Sequence, residues 1–234
     1  MRPEQLGLQA GNEDSEWVSL SDLMAGLMMV FLCIAVVMMR SVMEEREKIR
    51  ALAVDYRDNQ LAIYHALHDE FENDLPRWGA TIDKEKLAIA FNNSDAMFQA
   101  GASEMNTAAT KVMRSFFPRY IRALKPYMDS ISAIHIEGHT SSEWGGDTGA
   151  QTNYFNNLAL SQERSRAVLH FVHTLVPAEE AASMRAMVAA VGYSSARPVL
   201  HPDGREDAEK SRRVAFRVIT DSESHIHQIL EEAL

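Results

Sequence analysis

One cysteine, Cys33, stands in the 234 residues, so neither an intramolecular disulfide nor a multi-cysteine zinc site can form. Glycine (11) and proline (7) are scarce, and neither an internal repeat nor a low-complexity linker is present. Basic residues are also short. There are 23 Lys and Arg against 33 Asp and Glu, a formal net charge of -10, with no Lys/Arg-rich run. Such a chain is poorly suited to gripping phosphate backbones, which sets nucleic acid aside as a partner. The P-loop, the dinucleotide glycine pattern, G-x-S-x-G and a catalytic-cysteine context are missing too. The chain is therefore expected to carry no catalytic site of its own and to need no cofactor. What is present is 46% hydrophobic and 24% charged, too apolar for disorder and long enough for one ordinary domain with appendages.

One segment decides the class. Residues 17–39 read WVSLSDLMAGLMMVFLCIAVVMM without Lys, Arg or Pro. At about 1.5 Å per residue they reach roughly 35 Å, enough to cross a hydrocarbon core of about 30 Å. A secretory signal is the rival, but the preceding tail is acidic and no small-x-small cleavage site follows before Arg40. A single membrane-spanning helix over 17–39 is expected, after an N-terminal tail over 1–16. The Lys/Arg count near its ends favours the following residues, with Arg40, Arg46, Lys48 and Arg50, on the cytoplasmic side.

Asp22 lies five residues into that span. A carboxylate at the centre of a membrane helix costs roughly 2.5–3.5 kcal/mol on insertion scales and turns toward protein or water. Two readings stand side by side: a solvated first-turn acid or cap at headgroup depth, or an ion carrier loaded from alternate sides of the membrane. Gly26, Met29 and Cys33 continue beneath it at helical spacing, a narrow stripe on which another helix can lie closely. An ion path needs a partner with several spans.

Residues 40–75 contain no Gly or Pro. Val42, Ile49, Tyr56 and Ile63 recur every seven positions, with Leu52 and Leu67 near the intervening seam. A helical stalk over about 40–79 is expected, reaching roughly 50 Å if helical throughout; the alternative is an amphipathic helix packed on the domain. From there the pattern alternates. Strands are expected at Lys86–Phe91, Ala133–Gly138, Met187–Tyr193 and Arg213–Ile219, and helices at Asn106–Tyr127, with a kink at Pro118, and at Leu158–Leu175. The last strand alternates Val214, Phe216 and Val218 inward with Ala215 and Arg217 outward. The expected fold is α+β in the order βαβαββ over 80–222, helices on a mixed sheet. A polar tail with His225 and His227 follows over 223–234. His135, Glu137 and His139 alternate along one strand, which is not the helical H-E-x-x-H spacing of zinc proteases, and no metal site is expected.

Four blocks in order carry a resemblance: Ile136-Glu137-Gly138-His139-Thr140; Asn157-x-x-Leu160-Ser161-x-x-Arg164; Gly192-Tyr193-Ser194 with Arg197-Pro198; and Arg212-Arg213-Val214. Together they resemble the OmpA-type peptidoglycan-binding domain. Upstream, Trp17-Val18-Ser19-Leu20-Ser21-Asp22-Leu23-Met24 resembles the membrane segment of MotB-type stator subunits, with Asp22 at the ion-carrying position. The short stalk and the wording of the span are similar to the MotB-like ZorB subunits of Zorya anti-phage systems.

The resemblance implies a bacterial inner-membrane protein with its N-terminus in the cytoplasm and its domain in the periplasm, opposite to the Lys/Arg count. It also implies a homodimer inside a multi-span MotA-like (ZorA-type) partner, in a pentameric ring, with a proton or Na⁺ as the translocated ion and cytoplasmic effectors acting downstream. Arg164 would pair with a carboxylate of diaminopimelate in the wall peptide, a task suited to a two-donor guanidinium. Asn157, Leu160, Thr140 and Ser141 would shape the pocket. Ser141 stands where the family commonly has Asp, and Glu143 or Asp147 are candidates to replace that carboxylate. By its residues alone, without the flanking blocks, Arg164 reads more readily as a surface arginine bonded to Glu163 or Glu206. The functional alternatives are a flagellar or ExbD/TolR-type motor subunit, or a passive Pal-like envelope tether.

Overall fold

The computed structural model describes residues 10–92, 97–98, 102–144 and 149–221. The chain divides into two compact units, Met1–Arg57 and Asp58–Leu234. The first is carried by helix α1, which runs from Ala10 to Phe71 through a stretch that lacks Pro and has only Gly11 and Gly26 as glycines. A window of mean hydropathy 2.4 lies near the N-terminus of this helix, which is long and apolar enough to cross a membrane. Its large side chains from Leu20 to Leu52 are exposed, and so is Asp22. The Ser21 hydroxyl donates to the Trp17 carbonyl at 2.9 Å, one turn back.

The second unit begins inside the expected stalk, which corrects the sequence reading. Residues from Asp58 onward belong to the domain, and the last turns of α1 bury Ile63, Leu67 and Phe71 completely in its core. Of the heptad positions, Val42 and Ile49 are exposed while Ile63 is core. Arg119 of helix α2 (Thr107–Leu124) fastens this end. Its guanidinium donates to the Glu70 carboxylate, the Glu70 carbonyl and the Asp74 carboxylate, each at 2.6 Å. It also lies 4.9 Å from the centre of the Phe71 ring.

The sheet has five strands in the order β1-β2-β5-β3-β4: Ala80–Asp83, Ala88–Asn92, Arg213–Thr220, Ile131–His139 and Val188–Gly192 respectively. All neighbours are antiparallel except β3 and β4. The expected order βαβαββ therefore lacks one strand. β1 is an edge strand joined to β2 by a turn in which the Asp83 carboxylate accepts from the Glu85 and Lys86 amides at 3.0 Å. Four residues beside a long helix were too short to register as a periodic signal. The mixed sheet with helices is as expected.

The parallel pair needs a crossover, supplied by α3 (Ala150–His173) and a short helix α4 (Ala181–Met187). α3 begins eight residues before the expected Leu158. α2 starts where expected, capped by the Asn106 side chain accepting from the Ala109 amide at 2.8 Å, and Pro118 lies within it. It ends earlier than Tyr127. Residues Lys125–Ser130 tighten into a 3-10 turn, because Pro126 has no amide to continue the helical ladder. A four-residue helix α5 (Ala208–Ser211) precedes β5.

The core is aromatic. Phe116 sits 4.9–5.1 Å from the rings of Phe71, Phe91, Tyr120 and Phe216, in tilted and edge-on pairs. Two glycines set how close α3 lies on the sheet. A Cβ on Gly138 would meet the Ser161 carbonyl, 2.9 Å from its carbon. One on Gly192 would lie 2.6 Å from the Gln162 nitrogen. Those two glycines belong to the first and third sequence blocks. Their bare backbone lets α3 descend far enough for Gln162 to bond the edge strand, accepting from the Gly192 amide at 2.7 Å and donating to the Ala190 carbonyl at 3.3 Å.

Candidate functional site

The four sequence blocks meet at the C-terminal ends of the parallel strands β3 and β4, where α3 starts. Asn157 and Arg164 are seven residues apart on α3 and share one face. Each is buried, 2% exposed, and each ties down a different loop. The Asn157 amide donates to the Ser141 and Glu143 carbonyls at 3.2 and 3.4 Å, fixing the segment that leaves β3. Arg164 Nε donates to the Ala102 carbonyl at 3.0 Å, and its guanidinium lies 5.1 Å from the Phe98 ring centre.

Arg164 is therefore not a surface arginine. The partners available to it under that reading are engaged elsewhere: Glu163 pairs with Arg166 at 2.7 Å, and the Glu206 carboxylate takes the Ser142 amide at 3.2 Å together with the Ser142 hydroxyl. A guanidinium withdrawn from water beside an aromatic face is well disposed to bind a carboxylate, because little of its hydration remains to be stripped. Leu160, between the two polar residues, is half-buried.

Thr140 and Ser141 are buried at the end of β3. The Thr140 amide donates to the Ser194 carbonyl at 3.0 Å, while its hydroxyl has no hydrogen-bond partner among the described residues. The Ser141 hydroxyl accepts from Arg212 Nη1 at 3.3 Å, and the same guanidinium nitrogen lies 3.7 Å from the Glu143 carboxylate. Glu143 is thus placed at the site; Asp147 lies outside the described residues.

Three contributors were given no site role in the sequence reading. Ser194 adopts a left-handed φ of 53°, costly for a residue with a Cβ. Its amide donates to Ser161 Oγ at 3.0 Å, its hydroxyl to the Tyr154 carbonyl at 2.7 Å, and its carbonyl accepts from Thr140. These bonds fasten α3, β3 and the exit of β4 at one point. Phe98 forms the wall behind Arg164, and Arg212 holds Ser141. Ser194 and Arg212 lie within the quoted blocks and Phe98 well before the first of them, and only the fold brings them together.

Beside this cluster, on the sheet face opposite Gly138, a buried acid is surrounded by bases. The Glu137 carboxylate accepts from His139 Nε2 at 3.2 Å and has Arg197 and Arg217 at 3.7 and 3.8 Å. His139 stacks on Tyr193 at 5.2 Å, and Arg197 caps the same ring at 3.8 Å. Burial drives the His139 imidazole below its ordinary value, outweighing the pull of Glu137, so it is neutral at pH 7. Burial alone would raise Glu137, but the His139 hydrogen bond and the Arg217 and Arg197 charges outweigh it and hold the carboxylate below its usual range. A carboxylate neutralised by two guanidinium groups is poorly placed to ligate a cation. Among the described residues no cluster of three or more His, Cys, Asp and Glu is arranged to hold a metal.

No family model matches the chain. Zorya protein ZorB of Escherichia coli (Crooks strain) is 46% identical over 223 residues, covering 94% of this chain and 95% of that protein. The chain belongs to the ZorB family. Membership was expected from residues 17–24 and the four blocks, and it spans the apolar helix and the domain together. Among solved structures, a ZorB-family chain such as this overlays a MotB-like protein from Desulfovibrio vulgaris with a TM-score of 0.49 and 23% identity, over 74% of this chain and 94% of that one. The cell wall anchor of the type VI secretion system from Pseudomonas aeruginosa overlays with a TM-score of 0.46 and 17% identity, over 66% and 96%.

Proposed function

We propose that this ZorB-family chain is the wall-anchored subunit of an ion-driven, MotA/MotB-like motor of the inner membrane in Zorya anti-phage defence. The observation that carries the reading is the 46% identity to a Zorya ZorB over nearly the whole chain, helix and domain included. In this reading the helix over residues 17–39 crosses the membrane from a cytoplasmic N-terminus. Two copies stand within a pentameric ring of a multi-span ZorA-type partner, and Asp22 takes up and releases a proton as that ring turns. The helices of the partner would supply the dry surroundings in which a carboxylate changes its proton affinity enough to act as a relay.

The periplasmic domain holds the stator still. Arg164 would receive a carboxylate of the wall peptide, with Asn157, Leu160, Thr140 and Ser141 forming the walls of the pocket. The buried guanidinium and the Thr140 hydroxyl, which has no hydrogen-bond partner among the described residues, support this assignment. Rotation does useful work on cytoplasmic effectors only when one end of the machine is fixed.

Two variants test the two ends separately. Asp22→Asn keeps the shape and removes the proton site; phage protection should be abolished while the partner still co-purifies. Arg164→Met should leave the chain folded, by circular dichroism, and reduce its co-sedimentation with purified murein at least tenfold. Full protection by Asp22→Asn would end the relay. A chain that purifies without any multi-span partner, and protects without Asp22, would be a passive envelope tether.

A further inference from the structure

Helix α3 opens on an uncharged stretch. Residues 148–162 read TGAQTNYFNNLALSQ, with no Asp, Glu, Lys, Arg or His, in a chain that is 24% charged. Within it stand two adjacent aromatic side chains that the domain leaves uncovered: Tyr154 is 39% exposed and Phe155 56%. Among the described residues after α1, Leu200 is the only other large apolar side chain so exposed, whereas Phe91, Phe98, Phe116, Phe117 and Phe216 are buried. Single apolar side chains on a surface are ordinary, but these two meet. Their ring centres are 5.7 Å apart and their planes stand at 80°, an open aromatic corner.

The corner is continuous with the residues assigned to the wall peptide. Tyr154, Asn157, Ser161 and Arg164 fall at i, i+3, i+7 and i+10 of α3 and share one face, with Tyr154 one turn before Asn157. The Tyr154 carbonyl accepts from the Ser194 hydroxyl at 2.7 Å, and the Ser194 carbonyl accepts from the Thr140 amide at 3.0 Å. The backbone under the rings is thereby fixed to the end of β3, where Thr140 and Ser141 lie. Gln151 and Thr152, three and four residues before the rings and so on the same helix surface, are exposed as well.

This chemistry fits a neutral polyol. The rings offer apolar faces, while the phenol of Tyr154 and the side chains of Gln151 and Thr152 offer uncharged donors and acceptors. A pyranose ring has the matching halves: one face of C–H groups that lies on an aromatic ring, and hydroxyl and acetamido groups that reach outward to amides and hydroxyls. The stretch 148–162 gives an ionic ligand no side-chain charge to pair with, and two side chains cover far less than the roughly 1,200 Å² that a stable protein interface buries. We propose that Tyr154 and Phe155 form a sugar platform, on which one pyranose ring of the murein glycan strand stacks while its stem peptide reaches Arg164. This rests on the wall-anchoring reading above and adds a second ligand class to it, neutral carbohydrate beside the peptide carboxylate.

The test titrates the full-length protein in detergent with two probes, a free stem tripeptide containing diaminopimelate and the same peptide joined to its disaccharide. The parent should bind the disaccharide-peptide about tenfold more tightly than the free peptide, or about 1.4 kcal/mol. Tyr154→Ala with Phe155→Ala should erase that preference and leave both the affinity for the free peptide and the melting temperature as they were, while Phe155→Tyr should keep the preference. Arg164→Met should weaken both probes alike; free-peptide binding untouched by Arg164→Met would end the wall-peptide reading and leave the platform to be judged by a probe without peptide. That probe is a neutral N-acetylglucosamine trisaccharide, to whose ring protons magnetic saturation should pass from the parent and not from the double variant. A preference that survives the double substitution, or saturation transfer equal in parent and variant, would overturn the platform. So would a change of oligomeric state in the double variant by light scattering, which would assign the rings to a contact between copies.

Discussion

Gly192→Ala asks whether the close seat of α3 on the sheet is what builds the site around Asn157 and Arg164. A Cβ at Gly192 would sit 2.6 Å from the Gln162 nitrogen and 2.8 Å from both Gln162 Cα and Ser161 Oγ. Ordinary contact for a Cβ begins near 3.4 Å, so the helix must retreat by about 0.8 Å (3.4 less 2.6). The two nearest atoms are backbone and cannot swing aside, and the Gln162 bond to the Gly192 amide at 2.7 Å is stretched by the same movement. Overpacking of this kind costs about 1–3 kcal/mol. In a chain of this size that corresponds to a fall of about 2–12 °C in the domain melting temperature. Scanning calorimetry of the full-length protein in detergent reads the shift. Gly26→Ala, where nothing lies within 4 Å of the new Cβ, should leave that transition in place. Because Asn157 and Arg164 ride on α3, murein co-sedimentation should fall along with the melting temperature. A Gly192→Ala protein that melts within 1 °C of the parent and binds murein equally well would refute the reasoning.

Two further outcomes follow from the packing and the charges. Arg119→Met removes three short hydrogen bonds between α2 and the end of α1. Since the side chain is 30% exposed and part of its attraction is screened, the expected cost is about 1–2 kcal/mol, seen as a lower melting temperature of the domain. The Glu137–His139 pair sets an acid limit. Both groups have folded values below their ordinary ones, so the unfolded chain binds more protons and stability falls as pH drops. The loss starts below the ordinary histidine value of 6.5 and deepens below the ordinary glutamate value of 4.5. Melting temperatures measured from pH 7.5 to 4 should show this decline, and His139→Gln should flatten its upper part, between pH 7 and 5.5.

Elements that repeat a simple physical pattern were legible from the residues alone. An apolar stretch long enough for a bilayer, with Asp22 in it, is visible because hydrophobic length is a property of consecutive residues. The strands β3 and β5 and the helix α2 are visible because their buried positions recur with the period of a strand or a helix. The four blocks also marked the residues that the fold gathers, since Gly138 and Gly192 must be glycine wherever α3 comes this close.

The rest depends on residues far apart in the chain and emerges from the folded arrangement. The stalk turned out to lose Asp58–Phe71 to the domain core, an outcome set by the aromatic partners Phe91, Phe116 and Phe216 rather than by anything local to α1. The edge strand β1 exists because β2 offers it a ladder, and four residues carry too little pattern to announce it. Arg164 reads as a surface residue in isolation and is buried because Phe98 and Ala102, over sixty positions earlier, close on it. Ser194 holds three elements together from a strained backbone that no composition or period encodes. Patterns along the chain fix which elements form; long-range contacts fix which side chains lose their water, and the chemistry of the site depends on that loss.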